Sequence, residues 1–419
     1  MQGLETFLDL KLKALDDGTS ELRLTLTMLP NPEMAEGHAE GWQSAFECLY
    51  AFLAIDEYQF DIRTAVLDKP CRASNLKAEL SPHARKETKM GVMIEGVWQA
   101  GEPQRTGKDG KFSRPETSFR NWITADGSPG STGTGGFKAE AGRYHLYVCH
   151  ACPWAHRTMI FRTLKGLEDA VSVSVVHWYM AENGWTFEPG DGVIPDPVIG
   201  ADYLHQVYKA ADPEYTGRVS VPVLWDLETG TIVSNESAEI IRMFNSAFDA
   251  IAEHPERDYY PVELRDEIDT VNERVYQTLN NGVYQSGFAR SQEAYDAAVT
   301  DLFETMDWLE DRLSRQRYLV GDRVTEADWR LFTTLLRFDP VYHGHFKCNI
   351  RRLIDYPNLW NYTRELYQVP GVTSTINHDH IKTHYYGSHE TVNPTRIVPL
   401  GPAIDFTAPH DRARLEAAA

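Results

Sequence analysis

Cysteine is scarce in this 419-residue chain: Cys48, Cys71, Cys149, Cys152 and Cys348 are the whole set. Five is few and odd, which argues against a disulfide framework and for a reducing compartment. Only Cys149 and Cys152 lie close together. Their C-x-x-C spacing suits a redox dithiol or half a zinc site, and without a second cysteine pair a zinc site is disfavoured. Runs of Lys and Arg are also missing, and the formal charge is −20. Binding to nucleic acid or to an anionic membrane needs a basic patch that releases counterions, so neither partner is expected. No apolar stretch approaches the length of a membrane span, and Met1–Lys11 has no basic segment followed by an apolar one. These absences describe a soluble cytoplasmic protein, long enough for two or three domains.

The most informative stretch is Cys149-His-Ala-Cys152-Pro-Trp-Ala-His-Arg157. It ends a strand-like run, Tyr144–Val148, and opens a helical pattern that continues to Leu164. Proline after Cys152 suits the first helical position and places the cysteine at the N-cap. Free N–H groups and the helix dipole there favour an anion, so Cys152 is expected to ionise more easily than a free cysteine and to act as a nucleophile. Dithiol sites of the thioredoxin type put the nucleophile first and proline between the cysteines, whereas here proline follows the second. Cys149 therefore reads as a buried strand residue or, less favoured, a resolving thiol.

Residues 1–56 have a different character. Leu8, Leu10 and Leu12 alternate with polar residues, Asp16-Asp17-Gly18 turns the chain, and Leu22, Leu24, Leu26 and Met28 alternate again. This predicts two strands with one apolar face. From Gly37 the period becomes helical, with Trp42, Phe46, Leu49, Tyr50 and Leu53 on one stripe. The order resembles the C-terminal half of a START-like helix-grip domain of the chaperone-ATPase-activator type, with the preceding strands missing. No activity is assigned to this α+β fragment. Residues 57–89 read as a linker, and Gly101–Gly142, polar and glycine-rich, as a surface loop.

Beyond Leu164 the expected elements are a strand at Val171–Val176, a helix at Tyr203–Ala210, strands at Val219–Trp225 and Thr231–Ser234, and a helix opened by Asn235-Glu236-Ser237. Pro222 sits where a cis proline would leave the Val221 backbone free to face a ligand. Strand-helix-strand followed by strand-strand-helix is the order of a thioredoxin-like fold. The rest is helical: apolar stripes run over 264–279 and 295–313, Thr325-Glu-Ala-Asp328 forms a capping-box variant, and further helices are expected over 359–367 and 372–384. The predicted architecture is an α/β thioredoxin-like domain, 90–250 with its preceding loop, followed by an all-α domain, 251–419: a glutathione transferase fold.

From Met90 onward the chain resembles the glutathionyl-hydroquinone reductases, the Xi class of glutathione transferases. The residues that carry this are Cys152-Pro-Trp-Ala-His-Arg157, Asn183-Gly-Trp185, Arg218-Val-Ser-Val-Pro-Val-Leu-Trp225, the run Ser234–Asn245, Asn280-Asn-Gly-Val-Tyr284 and Arg337-Phe-Asp-Pro-Val-Tyr342. The resemblance implies glutathione as co-substrate along the sheet edge and Cys152 as nucleophile. It implies that Val221 pairs its backbone with the tripeptide, that Glu236 and Ser237 hold its γ-glutamyl end, and that Trp185 and Arg218 make further contacts. It also implies catalytic help from Tyr284 and Tyr385, with Tyr342 as a pocket wall, an aromatic glutathione conjugate as substrate, and a homodimer. Read without it, Trp185 suits a core and Glu236-Ser237 an ordinary helix cap. An omega-like thiol transferase or dehydroascorbate reductase, and a non-catalytic binding module, are the competing readings. His378, His380 and His384 include an i, i+4 pair, but no third ligand is evident, so no metal is expected.

Overall fold

The computed structural model describes residues 7–14, 20–27, 78–79, 91–101, 107 and 109–415. The chain divides into two units, Met1–Glu87 and Thr88–Ala419. In the first, β1 (Phe7–Ala14) and β2 (Ser20–Thr27) are antiparallel, with Leu8, Leu10 and Leu12 opposite Leu26, Leu24 and Leu22. The two alternating runs thus form the pair of strands expected of them. A two-residue β3 (Ala78–Glu79), within the stretch read as a linker, pairs with β2. The helix expected from Gly37, and Met28, lie outside the described residues.

The second unit opens with a hairpin, β4 (Val92–Ile94) and β5 (Val97–Gln99). Its turn, Glu95-Gly96, has φ of 49° and 71°. The main sheet has the order β7-β6-β8-β9. Strand β6 (Tyr144–Val148) is buried throughout, and β7 (Val171–Val175) runs parallel to it. A parallel pair needs a crossover, which is α1 (Pro153–Leu164). Strands β8 (Val223–Asp226) and β9 (Thr231–Ser234) complete the sheet antiparallel, and α2 (Leu204–Ala211) packs on β9. After β9 comes α3 (Ser237–Ser246), which packs against α1. Strand β8 starts after Pro222 rather than at Val219, since proline has no N–H to donate to the ladder; the Val221–Pro222 peptide is cis.

The segment read as a surface loop is otherwise in large part. Phe119–Asn121 lies along β9, with Asn121 N–H donating to Val233 O (2.9 Å) and Asn235 N–H to Phe119 O (3.1 Å). Phe112, Ile123 and Phe137 are buried. Only the glycine-rich tip near 127–136 fits the expectation, being mostly exposed. Three isolated apolar residues among glycines and polar groups have no periodicity, which is why their burial does not register in a pattern search.

The helical part runs α4 (Arg265–Val275), a π-helical turn at Tyr276–Asn280, α5 (Gly282–Gly287), α6 (Gln292–Arg315), α7 (Glu326–Arg337), a second π-helical turn at Phe338–Tyr342, α8 (Pro357–Tyr367) and α9 (His378–Ser388). The capping box forms as predicted: Asp328 accepts from Thr325 N–H at 2.7 Å. Every residue of α7 is buried, and it packs against α1, α4 and α8. The helix expected over 372–384 is instead a short 3-10 turn, Val372–Thr375, and then α9. Asn377 divides them, its side chain accepting from His380 N–H as an N-cap.

Candidate active site

Cys152 occupies the N-cap of α1 with extended backbone (φ −76°, ψ 121°), and Pro153 is the first helical residue. Cys152 is partly exposed as a residue, and its thiol donates to Val221 O at 3.6 Å, next to the cis peptide. Thus the nucleophile candidate and the backbone expected to receive glutathione face one another. One expectation is reversed. Burial pushes the Cys152 thiol above its ordinary value. The N–H groups of Ala155 and Trp154 and the charges of Arg337 and Arg114 pull the other way without overcoming it. Helix capping alone does not decide the ionisation of a thiol with this much protein around it. Cys149, the residue after β6, is buried, its thiol pushed up to about 12 by burial. Its carbonyl accepts from Cys152 N–H (3.1 Å).

A buried guanidinium fixes the cysteine loop from below. Arg337, at the end of α7, donates to Ala151 O (2.9 Å), His150 O (2.8 Å) and Thr333 O (2.8 Å), and meets His156 Nδ1 at 3.2 Å. Burial and the adjacent Arg337 hold His156 well below the usual histidine range, so its ring is neutral. Its Nε2 pairs with Thr375 Oγ1 at 2.8 Å.

Three tyrosines predicted for the site converge. Tyr385 OH lies 2.6 Å from Tyr284 OH and 3.1 Å from Tyr342 OH. Burial raises all three phenols, those of Tyr342 and Tyr385 well above the usual value, so each is a neutral donor at pH 7. The Tyr284 ring stacks near Trp154, two residues after Cys152, with centroids 6.5 Å apart and planes 26° apart. Phe288 and Phe346 close the cluster.

At the other end, Glu236 caps α3, its Oε1 accepting from Ala238 N–H (3.0 Å) and its Oε2 from Thr117 Oγ1 (3.2 Å). Ser237 is buried as the first helical residue. Trp185, 8% exposed, stacks on His384 at 4.9 Å, and His384 lies edge-on to Tyr385 at 5.3 Å. Trp185 is therefore linked to the tyrosine cluster through His384. Arg218 is partly exposed just before the cis peptide, and its carbonyl accepts from Tyr215 OH (2.8 Å). The histidines of α9 diverge: His380 Nε2 meets Asp191 O (2.6 Å), His384 Nδ1 meets Trp178 O (2.8 Å), and His378 stacks on Phe406.

Two residues here carry no role in the sequence reading. Arg337 lies in a quoted motif, but nothing local shows that its side chain reaches a loop 186 positions away. Arg114 belongs to the segment read as loop. Its guanidinium lies over the rings of Trp154 (4.8 Å) and Tyr284 (5.0 Å), and its Nε donates to Asn281 Oδ1 (3.0 Å).

Residues 151–247 match the Glutathione S-transferase, N-terminal domain family, and residues 292–365 the Glutathione S-transferase, C-terminal domain family. The chain is 57% identical over 314 residues to the glutathionyl-hydroquinone reductase PcpF of Sphingobium chlorophenolicum, covering 75% of this chain and 97% of that protein. The glutathione-bound structure of YqjG, a glutathione transferase homologue from Escherichia coli K-12, matches with a TM-score of 0.71 and 55% identity, over 77% of this chain and 99% of that one. A Xi-class glutathione transferase from Natrialba magadii matches with a TM-score of 0.72 and 49% identity, over 80% and 99%. A partly exposed cysteine on a helix N-terminus, facing a cis-prolyl peptide and a tyrosine cluster, thus sits in a chain that belongs to the glutathionyl-hydroquinone reductases, the Xi class of glutathione transferases.

Proposed function

We propose that this protein reduces glutathionyl-hydroquinones to hydroquinones with glutathione as the reductant. The observation that carries the reading is the placement of one thiol, Cys152, opposite Val221 O at 3.6 Å and within electrostatic reach of Tyr284, whose phenol is linked through Tyr385 to Tyr342. Glutathione lies along the sheet edge, its cysteinyl unit paired with the Val221 backbone. Its γ-glutamyl carboxylate sits at Ser237 and the N-terminus of α3 beside Glu236, and Trp185 and Arg218 contact the rest. The Cys152 thiolate attacks the conjugate's sulfur, giving a Cys152–glutathione mixed disulfide and, after a proton is taken up, the hydroquinone. Neutral phenols at Tyr284 and Tyr385 supply that proton, with Tyr342 as the supporting wall. A second glutathione then attacks the mixed disulfide and leaves as oxidised glutathione. A hydroxyl in place of Cys152 can orient a glutathione thiolate but cannot bond to its sulfur and be released by exchange. The family resemblance adds a homodimer built through the helical part, which sedimentation measures, and a cytoplasmic location. Among the described residues no helix is long and apolar enough to cross a membrane.

The test is purified protein with glutathione and a glutathionyl-menadione hydroquinone. Release of menadiol, with a transient mass gain of one glutathionyl group on Cys152, is expected. An untouched conjugate, or Cys152→Ala turning it over as fast as wild type, refutes the reading.

A further inference from the structure

Arg114 is held in an unusual way for a structural arginine. It rides on the segment that crosses from Gly110, whose carbonyl accepts from Arg290 N–H (3.0 Å), to the strand-like residues beside β9. Among the described residues a single hydrogen bond anchors it, from Nε to Oδ1 of the buried Asn281, three residues before Tyr284. The guanidinium then lies against three aromatic rings, those of Trp154 (4.8 Å), Tyr284 (5.0 Å) and Phe112 (5.7 Å). Among the described residues neither terminal nitrogen has a hydrogen-bond acceptor, and no carboxylate pairs with the group. Cation–ring contact fixes the plane of a guanidinium while leaving its terminal N–H groups able to receive an anion. The side chain is partly exposed, so those groups are reachable. Its charge also bears on both reacting neighbours, favouring the anionic form of Cys152 and of Tyr284.

We propose that Arg114 is the receptor for a ring oxygen of the hydroquinone, stabilising the negative charge that this oxygen acquires as the carbon–sulfur bond breaks. The inference rests on the proposed reductase activity. In the keto tautomer of the conjugate, the proton of one ring hydroxyl has moved to the carbon that bears sulfur. Cys152 thiolate attacks the glutathionyl sulfur; the S–S bond forms and the C–S bond breaks. The C–S electron pair closes the ring to its aromatic form and leaves the charge on the adjacent oxygen as a phenolate. That oxygen then takes one proton. The ring carbon is reduced by two electrons, and the two sulfurs are oxidised to the disulfide. Tyrosines that are neutral donors deliver protons, but they carry no positive charge to offset the phenolate. Arg114 brings that charge to the face of Tyr284, where the ring must lie to reach both Tyr284 and Cys152. A fixed cation aimed at a developing oxyanion acts on kcat more than on KM.

The experiment compares two reactions of the same full-length protein. One is reduction of glutathionyl-menadione hydroquinone, which forms the phenolate; the other is glutathione-dependent reduction of 2-hydroxyethyl disulfide, which uses Cys152 and the glutathione site but no ring oxygen. Arg114→Ala is expected to lower kcat for the conjugate on the order of a hundredfold, as loss of one oxyanion donor does, while disulfide reduction falls no more than a few-fold. Added ethylguanidine at non-denaturing concentration should recover part of the lost kcat in Arg114→Ala and none in wild type, and Arg114→Lys should lie between the two. Equal losses in both reactions, or a conjugate kcat unchanged in Arg114→Ala, overturn the inference while leaving the reductase activity standing. If wild type reduces the disulfide but leaves the conjugate intact, the proposed function fails, and the inference with it.

Discussion

Cys152 is under opposing influences that its sequence position shows only in part. The N–H groups of Trp154 and Ala155 favour the thiolate, as does the charge on Arg337 and Arg114, but burial is the larger effect and the thiol lies above its ordinary value. The thiolate fraction of the free protein therefore keeps growing as pH rises through 9. Alkylation of Cys152 by iodoacetamide in the absence of glutathione should accelerate over the same range, and a rate that levels off below pH 8 would contradict this. Tyr385 is the second residue with a sharp expectation. It is the shared partner of Tyr284 and Tyr342, so Tyr385→Phe breaks both contacts at once. Conjugate reduction should fall on the order of a hundredfold, the scale of a lost general acid, with disulfide reduction much less affected. At this scale the motif residues were legible because each sits in a short local signature: Cys-Pro at a helix start, Pro222 before a strand, Glu236-Ser237 at a cap. The two arginines were not, because an arginine's role is set by where a long side chain ends. Arg337 ends 186 residues away in sequence at Ala151 O, and Arg114 ends on rings contributed by α1 and α5.

Among the elements, α7 matters most to the site because it carries the cation that fixes the cysteine loop. The Arg337 guanidinium is fully buried, and three backbone carbonyls depend on it. Arg337→Met keeps much of the volume and removes every donor, leaving those carbonyls without this partner. The expected loss is on the order of 3 kcal/mol in unfolding free energy, measured by urea denaturation. A change within about 0.5 kcal/mol, the scale of a neutral surface substitution, would show that the carbonyls find other donors. Helix and strand periods located most elements within a residue or two, since amphipathic stripes and alternation report the buried face directly. They did not show the π-helical turns at Tyr276–Asn280 and Phe338–Tyr342, which continue the spacing of the preceding helix while changing its hydrogen bonds. Those turns bracket the site: the first leads into Asn281 and Tyr284, and the second contains Tyr342. Nor did periodicity separate Val372–Thr375 from α9, although Asn377 ahead of His-Asp-His is an N-cap signal that a search for helix starts recovers.

For the molecule as a whole, the unit from Thr88 onward holds its sheet through buried polar groups that have consequences for pH. His145, on the central strand β6, is 1% exposed and sits between two serine hydroxyls of β7, with Nδ1 2.7 Å from Ser172 Oγ and Nε2 2.9 Å from Ser174 Oγ. The Val-Ser-Val-Ser-Val alternation that marked β7 as a strand thus also places both partners of this ring on one face, in register with Tyr144–Val148. Burial pushes the His145 value down to about 4, and His345, buried beside His389, to about 3. An unfolded histidine takes up its proton near pH 6.5. Between that pH and the folded values the unfolded chain binds more protons than the native one, so stability is fully present above pH 6.5 and falls as the solution is acidified. Each tenfold gap in proton affinity is worth about 1.4 kcal/mol, so His145 alone should cost on the order of 3 kcal/mol between pH 7 and pH 4. Urea denaturation at a series of pH values from 7.5 to 4.5 measures the slope, and the same series on His145→Gln isolates this residue. Glutamine retains hydrogen-bonding groups for the serines but cannot titrate, so the variant's profile should be flatter; an identical slope would place the acid sensitivity elsewhere.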